Sequence, residues 1–263
     1  MSPRYTQLPA ARFAPAEKIL KAALHSLGNP GDHRTAEYRQ NPEDQAPVFV
    51  TVSRQPGAGA VSFSHRLAER LNERGTDHWS AWDRELVEKV SAESGIAAKI
   101  IEAIPDSHHN WLEEMLQSVA VSENPPDQME RRAYKRVALA IRALATAGHA
   151  IIVGLGGVFI TEGMPSAVHL RLIAPLEYRI KSMAEWDGIS LHHAAEKLIE
   201  IDRRRSEFYR RYWPGKVISP DAFSMTLNSA EMHVEELVEC VLPLIQIRRT
   251  TENFAAPSTA FGR

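Results

Sequence analysis

Residues 48–71, VFVTVSRQPGAGAVSFSHRLAERL, encode a buried strand, a short glycine loop and an amphipathic helix in direct succession. The β-branched run VFVTV predicts the strand, and the apolar residues after Ser62 recur with helical spacing. Gly57 and Gly59 permit a tight turn between the two elements. The first N–H groups of a helix are unpaired at its positive end. This order of elements is typical of loops that bind phosphate through the backbone.

The same loop departs from the Walker A pattern G-x-x-x-x-G-K-[ST]. Arg54 replaces the first glycine, Ala60 the lysine and Val61 the Ser/Thr, and only Gly59 fits. The pattern alone therefore leaves two interpretations of the loop open. It is either a tight turn that binds no ligand or a phosphate-binding site. Ser62 offers a hydroxyl in the first helical turn, and Arg54 offers a cation from the end of the strand.

Composition restricts the class of protein. The chain has 263 residues, 44% of them apolar, so it can bury the core of one large α/β domain. A net charge of −2 gives no general attraction to nucleic acid or to anionic membranes. Cys240 is the single cysteine, which excludes a disulfide framework. No apolar stretch approaches the roughly 18 residues of a membrane span. We therefore expect a cytoplasmic protein without nucleic-acid or membrane partners.

Strand and helix patterns alternate along the middle of the chain, which predicts a parallel sheet with helices on both faces and ligands at the strands' carboxyl ends. The predicted strands are 48–52, 78–82, 150–153, 167–173 and 223–227, and the predicted helices are 62–74, 83–94, 111–121, 129–147, 175–186, 190–212 and 231–247. Residues 1–46 read as an N-terminal extension, a short helix plus a linker. Residues 47–248 form the domain, and 249–263 read as a flexible tail.

Residues 201–216, IDRRRSEFYRRYWPGK, concentrate arginines in a chain of slightly negative charge. On a helix, Asp202, Arg205, Tyr209 and Tyr212 fall along one face. A solvated helix face with i,i+4 ion pairs is one interpretation, and arginines that neutralise a transferring phosphoryl group are the other. The interleaved aromatics favour the second. A nucleic-acid-binding patch is disfavoured because the rest of the sequence predicts no extended basic surface for nucleic acid.

Several segments together resemble the cytidylate kinase-like family, a branch of the P-loop nucleoside monophosphate kinases. They are VTVSRQPGAGAVSFSHRLAERL, WDRELVEKVSAESGI, GHAIIVGLGG, VHLRLIAPLEYRIKSMAEWDGIS, IDRRRSEFYRRYWPGK and FSMTLNSAEMHVEELVECVLPLI. The resemblance implies a P-loop NTPase fold. This is a three-layer α/β/α arrangement whose middle layer is a five-stranded parallel sheet, with helical acceptor and lid segments. It also implies ATP-dependent phosphoryl transfer to a nucleoside monophosphate such as CMP or dCMP, with Mg²⁺ bridging the donor phosphates.

The resemblance assigns roles residue by residue. It places Gly57, Ala58, Gly59, Ala60, Val61 and Ser62 around the donor phosphates. From the residues themselves we expect Arg54 beside them as a cation and Ser62 as the candidate Mg²⁺ ligand. Asp83 and Arg84 would stand at the acceptor side. Arg205, together with Arg203 and Arg204, would neutralise the transferring group.

The five tryptophans are expected in the core and at interfaces, with Trp213 beside the lid as the candidate stacking platform.

Two departures from the family weaken the case for catalysis. The family has an arginine just after the loop glycines, where this chain has Ala60, Val61 and Ser62. The arginine of its V-G-R-G motif is Leu155 here. Because each such cation contributes to transition-state stabilisation, a weakened kinase and a non-catalytic nucleotide-binding module both stay open. The module would use the same cleft, with a partner or a second copy of the chain docked through residues 1–46.

Overall fold

A parallel five-stranded sheet forms the centre of the molecule, with the strand order β2-β3-β1-β4-β5. The computed structural model describes residues 47–75, 77–83, 126–164 and 166–250. The strands are β1 (Phe49–Arg54), β2 (Ser80–Trp82), β3 (Ala150–Val153), β4 (Ala167–Ile173) and β5 (Met225–Asn228). This architecture confirms the α/β fold class and the parallel sheet expected from the sequence. The last strand begins two residues later than predicted.

Helices cover both faces of the sheet. They are α1 (Ala60–Arg74), α2 (Gln128–Ala147), α3 (Gly157–Ile160), α4 (Leu176–Asp187), α5 (Leu191–Tyr212) and α6 (Val234–Thr250), with a 3₁₀ turn at Pro220–Ala222. The short α3 was not predicted, and the ends of the others lie within three residues of the predicted ones. The predicted helices 83–94 and 111–121, residues 1–46 and the segment 251–263 lie outside the described residues. In the described ranges, every helix is too short or too polar to cross a bilayer.

Two hydrophobic cores, one on each face, hold the sheet. Val50 and Val52 of β1 pack in the core that α1 and α6 cover. Phe49 points the other way, into the core that α2, α3 and the end of α5 cover. Since a central parallel strand is covered on both faces, its residues are apolar without alternation, as the VFVTV run shows. A third, smaller core joins α4 to α5.

A polar pair, with Thr51 buried and His169 half-buried, lies on the sheet between β1 and β4. Thr51 and His169 are neighbours in the strand register, and a hydrogen bond of 2.8 Å joins Thr51 Oγ1 and His169 Nδ1. Burial, helped by the positive charge of Arg248 and opposed by Glu162, lowers the pKa of His169 from 6.5 to about 4. His169 is therefore a neutral hydrogen-bonding member of the sheet at neutral pH.

This pair makes stability depend on pH. Between pH 6.5 and about pH 4 the unfolded chain binds a proton at His169 that the folded chain does not. The free energy of unfolding should therefore fall with the pH, by about 2 kcal/mol between pH 7 and pH 5 from this group. Urea unfolding at the two pH values measures it. His169→Asn should remove that part of the decrease, whereas the exposed His192→Asn should keep it. An equal decrease in wild type and His169→Asn would contradict the assignment.

Candidate functional site

The loop after β1 is tied to the end of β4 by its backbone and by one side chain. The N–H of Gln55 donates to the carbonyl of Leu172 at 3.0 Å, and the Gln55 side-chain oxygen accepts from the N–H of Ala174 at 2.9 Å. The N–H of Ala58 in turn donates to the carbonyl of Gln55 at 3.2 Å. The loop is therefore held in one shape at the carboxyl edge of the sheet, where open α/β sheets bind their ligands.

The first turn of α1 faces this edge, and no side chain accepts a hydrogen bond from its N–H groups in the described ranges. Gly59 is the N-cap residue, and its first hydrogen bond within the helix comes from the N–H of Phe63 at 3.0 Å. In the described ranges no side chain caps this end, and the first turn has no acidic residue. By contrast, α2 begins with a complete capping box from Asp127 and Glu130. The end of α1 thus combines unpaired N–H groups with the positive end of the helix dipole.

Gly57 and Gly59 serve different purposes in the loop. Both have a positive φ, 77° and 73°. A Cβ added at Gly57 would lie 2.5 Å from the carbonyl oxygen of Arg179, so the loop packs directly against the backbone of α4. A Cβ at Gly59 would have no described atom within 4 Å. Gly57 is required for packing and conformation, whereas Gly59 is required for conformation only.

A cavity of about 590 Å³ opens beside the loop. One wall is the loop with the first turn of α1, and the opposite wall is formed by the end of α4 and the inner face of α5. Its lining includes Arg54, Gly57, Ala58, Gly59, Ala60, Val61, Ser62, Ser182, Glu185, Trp186, Asp187, Lys197 and Arg205. The structure therefore brings together the whole predicted phosphate loop and one of the three predicted lid arginines. Lys197, which the sequence analysis did not select, adds a further cation.

Arg205 reaches across the cavity from α5 to the loop. Its Nη1 donates to the carbonyl of Arg54 at 3.0 Å. One turn earlier, Asp202 accepts from Arg179 Nη1 at 3.2 Å, and Arg179 Nε donates to the carbonyl of Ala174 at 3.1 Å. These contacts connect α5, α4 and the phosphate loop, so the position of Arg205 depends on all three.

Arg203 and Arg204 lie on the outer face of α5. Arg203 contacts Glu200 at 2.8 Å and Glu207 at 2.5 Å, and Arg204 contacts Glu200 at 2.6 Å. The two arginines lower the pKa of Glu200 to about 2. Their side chains are 56% and 72% exposed. For this pair the structure shows the solvated helix face with i,i+3 and i,i+4 ion pairs, away from the cavity lining.

The positive charges of Arg54, Arg171 and Arg205 all act on the hydroxyl of Tyr209. Burial raises the pKa of Tyr209. The charges of Arg54, Arg205 and Arg171 and a side-chain hydrogen bond with Ser53 act against that increase. Ser53 and Arg171 are neighbours in the register of β1 and β4, so both side chains point to the same face of the sheet. This cluster, Arg54, Arg171 and Arg205 around Tyr209, is a concentration of positive charge at the sheet edge.

The guanidinium of Arg54 lies over the end of β3. A Cβ added at Gly154 would be 1.5 Å from Arg54 Nη1, so a side chain at that position would displace the arginine. Arg171 is fixed from the other side, since its Nη1 donates to the carbonyl of Ile218 at 3.1 Å and its guanidinium lies 5.5 Å from the ring centre of Phe223. Arg171 was not predicted as a site residue. The alternation in VHLRLIA places it on the half-buried face of β4, but only the strand register brings it beside Ser53.

Comparison with known proteins gives a consistent result. The sequence model of the cytidylate kinase-like family matches residues 49–231, which is more than half of the chain. The chain belongs to the cytidylate kinase-like family. It is 26% identical over 196 residues to a cytidylate kinase of Ignicoccus hospitalis, covering 74% of this chain and 96% of that protein. It is 22% identical over 199 residues to a cytidylate kinase of Staphylothermus marinus, covering 76% and 97%.

One solved structure supports the fold independently. The crystal structure of an uncharacterized protein from Eubacterium ventriosum superposes with a TM-score of 0.57 at 16% identity, covering 76% of this chain and 98% of that chain. At this level of identity the likeness concerns the fold alone. Membership of the cytidylate kinase-like family supports nucleotide kinase activity in general terms.

Leu155, which stands where the family has an arginine, adopts a left-handed backbone conformation with a φ of 57°. Its carbonyl accepts from the Tyr134 hydroxyl at 3.1 Å, and that hydroxyl accepts from Trp213 Nε1 at 3.0 Å. The Leu155 side chain packs against the core under α2. Trp213 is only 6% exposed. The expectation that Trp213 could be a stacking platform is therefore wrong, because its ring is a core group that positions the loop after β3.

The acceptor side predicted for this family member is described only in part. Asp83 follows β2 directly and is half-buried, and it lies outside the lining of the cavity. Arg84 lies outside the described residues, as does the helix predicted to begin at 83. The roles of Asp83 and Arg84 therefore stay predictions.

The packing of Gly57 under α4 gives a testable difference between the two loop glycines. Gly57→Ala and Gly59→Ala share the cost of a left-handed alanine, about 1–2 kcal/mol. Gly57→Ala should lose about 1–3 kcal/mol more, because its methyl group meets the Arg179 carbonyl. Chemical unfolding monitored by circular dichroism measures both. Equal losses of unfolding free energy would show that the contact with α4 is unimportant.

Proposed function

We propose that this protein transfers a phosphoryl group from ATP to a pyrimidine nucleoside monophosphate, CMP or dCMP. The observation that carries the proposal is the cavity that joins the phosphate loop to Arg205. Phosphoryl transfer depends mainly on positioning and on stabilising charge at the transferring group. A loop that offers backbone N–H groups, faced by a guanidinium from the opposite wall, supplies both.

The loop and the first turn of α1 would hold the donor phosphates. The N–H groups of the first turn, at Ala60, Val61 and Ser62, have no partner within the helix, since its first hydrogen bond comes from Phe63. Such an end binds phosphate without a lysine, with help from the helix dipole. Arg205 would then exchange its contact with the Arg54 carbonyl for the oxygens of the transferring phosphoryl group.

The cavity lining also suits a magnesium ion carried by the nucleotide. Ser62, in the first turn of α1 beside the proposed phosphate position, offers a hydroxyl, a hard oxygen donor of the kind that Mg²⁺ prefers. Asp187 contributes less, because it is paired with Lys197 at 2.9 Å. When bound, Mg²⁺ would neutralise charge on the donor phosphates. Ser62 is the residue that we propose as its protein ligand.

The arginine cluster around Tyr209 supports an anionic acceptor beside the donor. Arg54 and Arg205 belong to both the cavity lining and this cluster, so the two charge groups adjoin each other at the carboxyl ends of β1 and β3. A nucleoside monophosphate whose phosphate lay near these arginines would be held next to the donor's terminal phosphate. Asp83 and Arg84 are proposed on the same side, toward the acceptor nucleoside.

A nucleotide-binding protein without turnover is the second candidate. The observation in its favour is the pair of apolar residues at Val61 and Leu155. Val61 is 39% exposed in the cavity lining, where the family carries an arginine close to the phosphates. Both candidates predict ATP binding, and acceptor-dependent formation of ADP separates them. A partner docked through residues 1–46, or a second copy of the chain, belongs to this second proposal.

Replacement of Arg205 tests the proposed transfer. ADP release should be measured with ATP, Mg²⁺ and each nucleoside monophosphate in turn, and the best acceptor used for the variants. Arg205→Ala should lower the rate by about 10³–10⁵-fold, as for other arginines that stabilise phosphoryl transfer. Arg210→Ala, an exposed arginine of the same helix, is the matched control and should change it little.

Arg203→Ala and Arg204→Ala complete the comparison of the lid arginines. Because both side chains face solvent and pair with Glu200, we expect their rates to stay within a few-fold of wild type. A large loss of rate in either variant would show that the replaced arginine takes part in the transfer together with Arg205. If ATP binds and no acceptor supports turnover, the kinase proposal is lost and the binding protein remains.

Val61→Arg tests whether a cation at this position strengthens phosphate binding. Val61 is a better position than Ala60 for this test, since Ala60 is 4% exposed and packs in the core. A guanidinium in the cavity should strengthen binding of inorganic triphosphate by about tenfold, because a charge-assisted phosphate contact is worth about 1.5–3 kcal/mol before its ordering cost. Val61→Gln controls for side-chain length. Equal binding by the two variants would show that charge at this position is irrelevant.

A further inference from the structure

We propose that Trp186 is the stacking platform for the base of the donor nucleotide, an inference that rests on the proposed function. Among the tryptophans that the structure describes, Trp79, Trp82 and Trp213 are 3%, 1% and 6% exposed. Trp186 is 49% exposed and lines the same cavity as the phosphate loop. A large aromatic ring left accessible inside a concave site is available to a planar ligand.

The position of Trp186 along α4 matches the length of a nucleotide. The carbonyl of Arg179 lies against Gly57, so this part of α4 adjoins the phosphate loop. Trp186 is seven residues further along the same helix, about 10 Å at 1.5 Å per residue. The indole ring therefore lies about 10 Å along α4 from the contact of that helix with the phosphate loop, which places phosphates at one end of the cavity and a base at the other.

The ring stands on a rigid support. Met183 and Ala184 of α4 pack against Ala194 and Leu198 of α5 in the third core. The turn between the two helices is closed by Gly188, whose φ is 66°. Because the backbone beneath Trp186 is fixed by this packing, little order has to be created when a base stacks on the ring.

The polar groups beside the Trp186 ring do not select strongly between different bases. Asp187, the next residue, is paired with Lys197 at 2.9 Å, so its carboxylate is already engaged. Ser182, one turn before Trp186, offers only a hydroxyl, which can donate or accept. Stacking on an aromatic face accepts any base, because every base has a π-face. The site should therefore accept ATP and GTP with similar affinity.

Calorimetric titration of Trp186→Ala with ATP, GTP and inorganic triphosphate tests this inference. Affinity for ATP and GTP should fall by about 5- to 150-fold, the range that base stacking of about 1–3 kcal/mol gives. Affinity for inorganic triphosphate, which has no base, should stay as in wild type. Trp186→Phe should retain most of the affinity for ATP, since it keeps an aromatic face.

Leu191→Ala is the matched control, an apolar residue 56% exposed at the start of α5 and outside the cavity lining. It should bind all three ligands as wild type does. Unchanged ATP affinity in Trp186→Ala would overturn the stacking role and leave the proposed function standing. An equal loss for inorganic triphosphate would also overturn it, because the effect would then reside in the phosphate site. If wild type binds neither ATP nor triphosphate, both proposals fall.

Discussion

The backbone contact between Gly57 and the carbonyl of Arg179 is the constraint on which the site depends. It leaves no room for a side chain at Gly57 and sets α4 directly against the phosphate loop. The Arg179 side chain then pairs with Asp202, which fixes α5 one turn before Arg205. The opposite wall of the cavity follows from this one close approach, including Trp186 two turns along α4. Backbone packing is well suited to this purpose, because it keeps its geometry without an ordered ligand.

The proposed anion site has fewer direct cations than its family commonly provides, and the arrangement of the remaining charge offsets part of that difference. The end of α1 contributes a partial positive charge that is neutralised neither by a capping side chain in the described ranges nor by an acidic residue in its first turn. Arg54 and Arg205 are shared between the cavity and the cluster at Tyr209. A pair of guanidinium groups between two anionic ligands can serve both, and their mutual repulsion falls when those ligands bind.

Much of this arrangement could be predicted from the sequence, and the exceptions have physical causes. Helical spacing alone placed Asp202, Arg205 and Tyr209 on one face, and the structure confirms that this face points inward. The family pattern grouped Arg203 and Arg204 with Arg205, although neighbours on a helix point about 100° apart. The two kinds of pattern give different expectations for Arg203 and Arg204, because periodicity reports the direction of a side chain, whereas a motif reports only order along the chain.

Trp186 and Arg171 could not be selected from the sequence for a different reason. Most tryptophans are buried, so the sequence favours the core for each of them. Only the packing of α4 on α5 shows that one ring is left accessible in the cavity. Arg171 is read correctly as a residue of β4, but its place beside Ser53 depends on which strand pairs with β1. Both assignments require tertiary contacts between distant segments.

The two departures from the family are not equivalent once their surroundings are known. At Leu155 the side chain packs into the core, and the backbone is held by Tyr134 and Trp213. The adjoining space over Gly154 is filled by the guanidinium of Arg54, with Arg171 on the neighbouring strand, so positive charge is still supplied there. At Val61 the side chain is accessible in the cavity, and the helix end supplies only partial charge. For the proposed phosphoryl transfer, the charge missing at Val61 is therefore the more important of the two, because the loss at Leu155 is compensated within the sheet.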